Sequence, residues 1–212
     1  MDRSSVPYLI GFFIVFLLGL FLGGILGIAI AIIGVLLLSF TIFFFRDPKR
    51  SIPEDEDAIV SPADGVVIGI DDYEVESISG GKRLSIFMSP LDVHINRAPV
   101  DGDVVSVKHF SGKFHRAFEE SASLENERVD MLLSSSRGNI FIRQIAGIIA
   151  RRIICRAKSG DVLKRGEKYG IIHFGSRVEI VIPPNANFVV GDGDRVVGGE
   201  TIIARWRNKW GE

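Results

Sequence analysis

From Tyr8 to Phe45 the chain carries no Asp, Glu, Lys, Arg or His, an uncharged run of 38 residues. One straight helix of that length would measure about 57 Å, against a hydrocarbon core of roughly 30 Å. A break at Gly23-Gly24 divides the run into two spans of roughly 17–20 residues, each long enough to cross. Gly19, Gly23, Gly24 and Gly27 would let two such backbones approach closely. The flanks are basic, with Arg3 before the run and Arg46, Lys49 and Arg50 after it. A hairpin places both flanks on one side, and the positive-inside bias makes that side cytoplasmic. A cleaved signal peptide fits poorly, because the run is much longer than an h-region and no small-residue cleavage site precedes the first charges. The pattern therefore predicts a membrane anchor over residues 1–50 in the cell membrane, made of two transmembrane helices, with a single tilted or re-entrant span as the alternative. A second domain, residues 51–212, follows on the cytoplasmic side.

The texture changes after the acidic linker Ser51-Ile52-Pro53-Glu54-Asp55-Glu56-Asp57. Short β-branched runs appear at Ala58-Ile59-Val60, Gly65 to Ile70, Leu84 to Met88, Val104 to Val107, Ile140 to Ile145, Ile171 to Phe174, Val178 to Ile182 and Ile202 to Ala204. Gly, Asp and Pro punctuate them at close intervals, which predicts a mainly β domain. Helical signals are weaker: Lys113 to Ser123 reads as one or two turns, and Ala146 to Ile154 as helix or strand. One repeat stands out. Gly160-Asp161-Val162-Leu163-Lys164-Arg165-Gly166-Glu167 and Gly193-Asp194-Arg195-Val196-Val197-Gly198-Gly199-Glu200 share Gly-Asp, a hydrophobic pair and Gly-Glu, each leading into an apolar strand. Glycine turns with flanking strands that pair are expected there, as in lipoyl-like β-sandwich or barrel hairpins. The predicted fold is thus mainly β with few short helices, preceded by an α-helical membrane hairpin. Lys164 lacks the Met-Lys or Asp-Lys context of a carrier lysine.

Charge narrows the partners. Of 26 acids and 25 bases, one each (Asp2 and Arg3) precedes the apolar run, so the second domain is close to neutral and no field argues for nucleic acid. A membrane is the partner the chain demands. The single cysteine, Cys155, excludes an intrachain disulfide and a thiolate metal cluster. It lies in an apolar run and reads as a small core residue.

Several residues could carry chemistry. Ser176 follows Gly175 between two apolar runs; a Gly-Ser pair there is ordinarily a turn. Its functional reading is intramolecular attack, because Ser176 Oγ can reach the Gly175 carbonyl and glycine has no Cβ to crowd it. His94 lies in a polar segment with Asp92, Asn96 and Arg97, which Pro90 and Pro99 would hold as a loop. Asp64, in Ser61-Pro62-Ala63-Asp64-Gly65, reads most simply as a turn residue ahead of a strand. His109, His115 and His173 complete the histidines, and no pair has the i,i+4 spacing of a helical zinc site. No metal site is expected.

The order of the motifs is more specific than any one of them. Phe44-Phe45-Arg46-Asp47-Pro48, Ser61-Pro62-Ala63-Asp64-Gly65, Met88-Ser89-Pro90 through His94 to Pro99-Val100-Asp101-Gly102, Ser111-Gly112-Lys113-Phe114, Asn126-Glu127-Arg128, Arg143-Gln144-Ile145-Ala146-Gly147 and Phe174-Gly175-Ser176 follow one another. This series resembles the short form of the phosphatidylserine decarboxylase proenzymes, which includes the archaeal archaetidylserine decarboxylases. The resemblance implies self-cleavage between Gly175 and Ser176 by an N→O acyl shift, elimination and hydrolysis. A large chain (1–175) and a small chain (176–212) would result, paired as a heterodimer, with a pyruvoyl cofactor made from Ser176. That group would form a Schiff base with the serine amine of phosphatidylserine or archaetidylserine and act as electron sink while carbon dioxide leaves. It further implies catalytic roles for Asp64 and His94, an Asp orienting a His that deprotonates Ser176. Longer members of the family carry a second histidine where Arg97 stands, so Arg97 becomes a candidate for the substrate's carboxylate or phosphate. Arg143 is a second candidate for the headgroup, while Arg151 and Arg152 read as a solvated face. A homo-oligomer is compatible with all of this. Two other readings use the same residues: a membrane-tethered β-sandwich without activity, and a serine hydrolase acting on an external ester. The second lacks a Gly-x-Ser-x-Gly elbow.

Overall fold

The structure, a computed structural model, describes residues 1–112, 125–147, 152–173 and 175–207. It divides into two compact units, Met1–Pro48 and Lys49–Glu212. The expected segment Lys113 to Ser123 lies outside the described residues, as do His115 and Arg151.

In the first unit, α1 (Val6–Leu22) and α2 (Gly24–Phe44) form a hairpin. At 17 and 21 residues they measure about 26 and 32 Å, close to a bilayer core. Large apolar side chains point outward from both, Phe21 at 87% and Ile25 at 90% exposure. Such a surface suits hydrocarbon rather than water, and the helices are consistent with membrane association. The Asp2 N–H donates to the Phe45 carbonyl at 2.9 Å, so the two ends of the hairpin lie side by side. Glycine makes the close contact. A Cβ on Gly19 would stand 2.4 Å from Ala31 N, and one on Gly27 2.5 Å from Gly19 O.

The second unit is mainly β, as the short β-branched runs between Gly, Asp and Pro predict. Its strands are β1 (Ala58–Val60), β2 (Gly65–Asp72), β3 (Lys82–Met88), β4 (Ile95–Arg97), β5 (Gly102–Phe110), β6 (Arg128–Ser135) and β7 (Gly138–Ala146). There follow β8 (Ile153–Cys155), β9 (Val162–Leu163), β10 (Lys168–Ile172), β11 (Ser176–Ile182), β12 (Ala186–Phe188), β13 (Arg195–Val196) and β14 (Ile202–Trp206). An eight-stranded sheet runs β13-β2-β3-β11-β7-β6-β5-β9, and two three-stranded sheets run β1-β14-β12 and β4-β10-β8. The core faces of the central strands supply Leu84, Ile86, Met88, Ile140, Ile142, Val178, Ile180 and Ile182, all fully buried. The segment expected to be a loop around His94 contains a strand, β4, because Ile95, Asn96 and Arg97 find partners across β10. The ambiguous stretch Ala146 to Ile154 begins in β7 and ends in β8.

The repeat does something its sequence does not reveal. Each copy carries a strand of the large sheet, a glycine turn, then a strand of a small sheet, and these two strands pair with other partners instead of with each other. Thus β9 pairs with β5 while β10 pairs with β4 and β8; β13 pairs with β2 while β14 pairs with β1 and β12. The copies meet a second repeated element, Ser61-Pro62-Ala63-Asp64-Gly65 and Ala98-Pro99-Val100-Asp101-Gly102. The bonds match in pairs. Val67 N donates to Asp194 O at 2.9 Å as Val104 N does to Asp161 O at 2.8 Å. Val60 N donates to Pro99 O at 3.0 Å as Arg97 N does to Pro62 O at 2.9 Å. The domain is built on an internal pseudo-two-fold.

Candidate active site

Ser176 opens β11, the strand held between β3 and β7 at the centre of the large sheet. Its side chain shares the core-facing side with Val178 and Ile180 and is fully buried. A serine there needs polar company. The Ser176 Oγ–H donates to Met88 Sδ at 3.4 Å, a weak acceptor that leaves the hydroxyl lightly held. Asn96 Nδ2 reaches the same sulfur at 3.8 Å, and Gln144 Nε2 donates to Asn96 Oδ1 at 2.7 Å. Gln144 Oε1 is buried without a hydrogen-bond partner among the described residues. This cluster of Met88, Asn96 and Gln144 went unmarked as a group in the sequence. The signal that could have found it is an amide interrupting the apolar face Ile140, Ile142, Ala146 of β7.

Gly175 precedes Ser176 in a left-handed conformation, φ +65°. Beyond its chain neighbours, a Cβ built there would meet no atom of the described residues within 4 Å. Its N–H donates to His94 Nε2 at 3.3 Å. The other ring nitrogen, Nδ1, lies 3.0 Å from the Asp92 carbonyl oxygen, which can only accept. That contact assigns the proton to Nδ1 and leaves the Nε2 lone pair to accept from the Gly175 N–H. His94 is fully buried. Asp92 is itself held, its carboxylate accepting from Ser89 N at 2.8 Å and from Arg195 Nη2.

Asp64 occupies a different position from the one a serine triad would give it. Its carboxylate takes both oxygens to Arg50 Nη2, at 3.0 and 2.9 Å, and accepts from Gly198 N at 2.8 Å. The His94 ring is oriented by the Asp92 main chain. The bond to Gly198 is structural in kind, because the pseudo-two-fold partner Asp101 accepts from Arg165 N at 2.8 Å in the same way. The Arg50 pair is what distinguishes Asp64. Burial raises the Asp64 pKa; the Gly198 N–H and Arg50 oppose the rise, and the nearby Asp92 charge adds to it.

The two arginines expected at the headgroup are placed elsewhere. Arg97 turns away from the Asn96 side of its strand, and its Nη1 donates to Gly166 O at 2.9 Å, closing one copy of the repeat turn. Arg143 pairs in register with Glu179, three residues along β11 from Ser176 and hence on the opposite face of the sheet. Its guanidinium is bonded twice to Asp130, at 2.7 and 2.8 Å. Arg152 is exposed, and His109 pairs with Glu127 at 3.2 Å on the surface. Cys155 lies half-buried, and burial pushes its thiol pKa up, which suits a packing residue.

Residues 37–204 match the family model for phosphatidylserine decarboxylase. This span contains Asp64, His94, Gly175 and Ser176. The chain belongs to the phosphatidylserine decarboxylase family. It is 47% identical over 166 residues to the phosphatidylserine decarboxylase proenzyme of Geotalea uraniireducens (strain Rf4), covering 77% of this chain and 78% of that one. The proenzyme of Pelobacter propionicus (strain DSM 2379 / NBRC 103807 / OttBd1) is 44% identical over 172 residues, 80% and 78% of the two chains. That of Anaplasma phagocytophilum (strain HZ) is 43% identical over 210 residues, 96% and 90% of the two. The resemblance carried by the ordered motifs holds, and as a family member the chain is a carboxy-lyase.

Proposed function

We propose that this chain is a proenzyme that cleaves itself between Gly175 and Ser176. Residue 176 then becomes the pyruvoyl group with which the mature enzyme decarboxylates a serine-headed phospholipid, phosphatidylserine or archaetidylserine, to the ethanolamine-headed lipid. Family membership supports the substrate class, and the naming of three relatives as proenzymes supports the processing. The observation that supports the self-cleavage is local: His94 Nε2 accepts from the Gly175 N–H at 3.3 Å, and the next residue carries a buried hydroxyl held, among the described residues, only by Met88 Sδ.

In this reading the His94 Nε2 lone pair gives up the Gly175 N–H, the Ser176 hydroxyl turns from Met88 toward it, and Nε2 takes the Oγ proton as the oxygen attacks the Gly175 carbonyl. The acyl group passes from nitrogen to oxygen, and loss of the residue-176 α-proton with departure of the Gly175 carboxylate divides the chain. Hydrolysis then releases ammonia. The site fits the product, since a pyruvoyl group has fewer heavy atoms than the serine it replaces and would be held by the same residues, Met88, Asn96 and Gln144. When present, the group supplies an electron sink for the pair left as carbon dioxide departs. His94, its Nδ1 anchored on Asp92, is placed to return a proton to the headgroup. Asp64 acts on His94 at one remove, through the field it shares with Asp92. With Arg97 and Arg143 engaged elsewhere, the headgroup anion is left to other cations. The basic flanks Arg3, Arg46, Lys49 and Arg50 put the domain on the cytoplasmic face of the cell membrane.

Intact mass of the purified full chain tests the proposal. Wild type should give a fragment of residues 1–175 and a fragment from 176 to 212 that has lost ammonia and is blocked at its N-terminus. Ser176→Ala should remain whole. A wild-type chain that stays uncut in every preparation refutes the reading, and parallel assays with diacyl and ether lipids separate the two substrates.

A further inference from the structure

The face of β11 opposite Ser176 carries an arrangement that the chemistry above does not use. Glu179 is 1% exposed, and its carboxylate is approached by Arg83 Nη1 at 3.5 Å, Arg143 Nη1 at 3.9 Å and Arg177 Nη2. Arg83 is bonded in turn to both oxygens of Asp71, at 3.0 and 2.7 Å, and Arg143 to both oxygens of Asp130. The row Asp71, Arg83, Glu179, Arg143, Asp130 alternates in sign across five neighbouring strands, β2, β3, β11, β7 and β6. The connection from β2 to β3 covers part of it. Tyr73 stacks under Arg83, and its hydroxyl accepts from Arg143 at 3.2 Å. Apart from Arg177, every member of the row other than Glu179 lies before Gly175 in the chain.

We propose that Glu179 and its flanking arginines form a retaining clamp that keeps residue 176 in register once the chain has been cut. The inference rests on the self-cleavage reading. Before the cut, Gly175 ties the start of β11 to the rest of the chain. Afterwards residue 176 is a chain end, and chain ends fray. Backbone ladders alone tolerate a two-residue slip, because side chains return to the same face. Glu179 forbids that slip. Moving it by two residues would take a buried carboxylate away from Arg83 and Arg143 and leave it, of these three arginines, only Arg177 of its own strand. The clamp is three residues from the reacting position, close enough to fix it and on the opposite face. Glu179 is a positioning residue.

The test compares cut and uncut protein as full chains in detergent. In cut protein, Glu179→Gln should release the 176–212 fragment at least tenfold faster than wild type in moderate urea, read by size exclusion with intact mass. In the uncut Ser176→Ala background the same substitution should lower the urea midpoint only modestly. Equal release rates for Glu179→Gln and wild type overturn the clamp. Should Glu179→Gln fail to fold, amide exchange needs no such variant. In cut wild type, residues 177–182 should remain protected to within tenfold of uncut Ser176→Ala, and a loss of a hundredfold or more overturns the proposal. Wild-type chain that never divides removes the self-cleavage reading and the clamp with it, whereas divided chain with equal release removes the clamp alone.

Discussion

Replacing Gly175 by alanine isolates the backbone geometry at the scissile bond. At φ +65° an L-residue suffers the left-handed clash between its Cβ and the following carbonyl, a penalty of about 1–2 kcal/mol. Beyond the chain neighbours no atom of the described residues lies within 4 Å of the added Cβ, so among them the penalty is conformational. The alanine chain relieves it by leaving the left-handed region, and leaving carries the Gly175 N–H away from His94 Nε2. At about 1.4 kcal/mol per factor of ten, the competent conformer falls in population by roughly 5- to 30-fold, and the cleavage rate falls with it. Asparagine adopts the left-handed region at a smaller penalty, so Gly175→Asn should cleave faster than Gly175→Ala. Cell-free translation into nanodiscs, with timed quenching and quantitation of the 1–175 fragment on denaturing gels, supplies the rates. Alanine within twofold of glycine, or asparagine slower than alanine, would show that the left-handed turn does not hold the reacting groups.

Further outcomes follow from the same geometry. Burial raises the Asp64 pKa above its ordinary 3.8, so folding favours the protonated form. Uncut Ser176→Ala should therefore lose stability relative to the Asp64→Asn variant made in it as pH rises from about 3.8 through the raised value; a relative gain by urea titration would mean that the Arg50 pair outweighs burial. In the hairpin, Gly27→Leu drives a side chain into Gly19 O, 2.5 Å from its first atom, and should separate α1 from α2. Cysteine crosslinking between the helices would then drop severalfold, and unchanged crosslinking would refute the close contact. The raised Cys155 thiol should react with iodoacetamide at pH 7.5 at least tenfold more slowly than a free thiol in the folded chain, and at the free rate in denaturant; equal rates would contradict its burial.

The apolar helical hairpin was legible without coordinates, because 38 uncharged residues exceed one crossing and the central glycines leave one place to fold back. The large strands were legible because short β-branched runs bounded by Gly, Asp and Pro are a property of one segment. Ser176 and Gly175 could be singled out by the order of motifs, and His94 by its polar company. Which strands become neighbours is a different kind of fact, because periodicity states the face a residue takes and is silent about who stands opposite. That is why β4 was expected as a loop, why the two strands of each repeat were expected to pair, and why Asn96, Gln144 and Met88 were not seen as one cluster around Ser176. The same limit hid which way the candidate arginines face. Arg97 and Arg143 are cations near the right motifs in sequence, yet the alternation of β4 and the register of β11 against β7 turn both away from the serine. Asp64 shows the limit most clearly, since its turn-closing bond is duplicated by Asp101, and only the fold brings Arg50 to one of the pair. Chemistry that needs residues from several strands is decided where those strands meet.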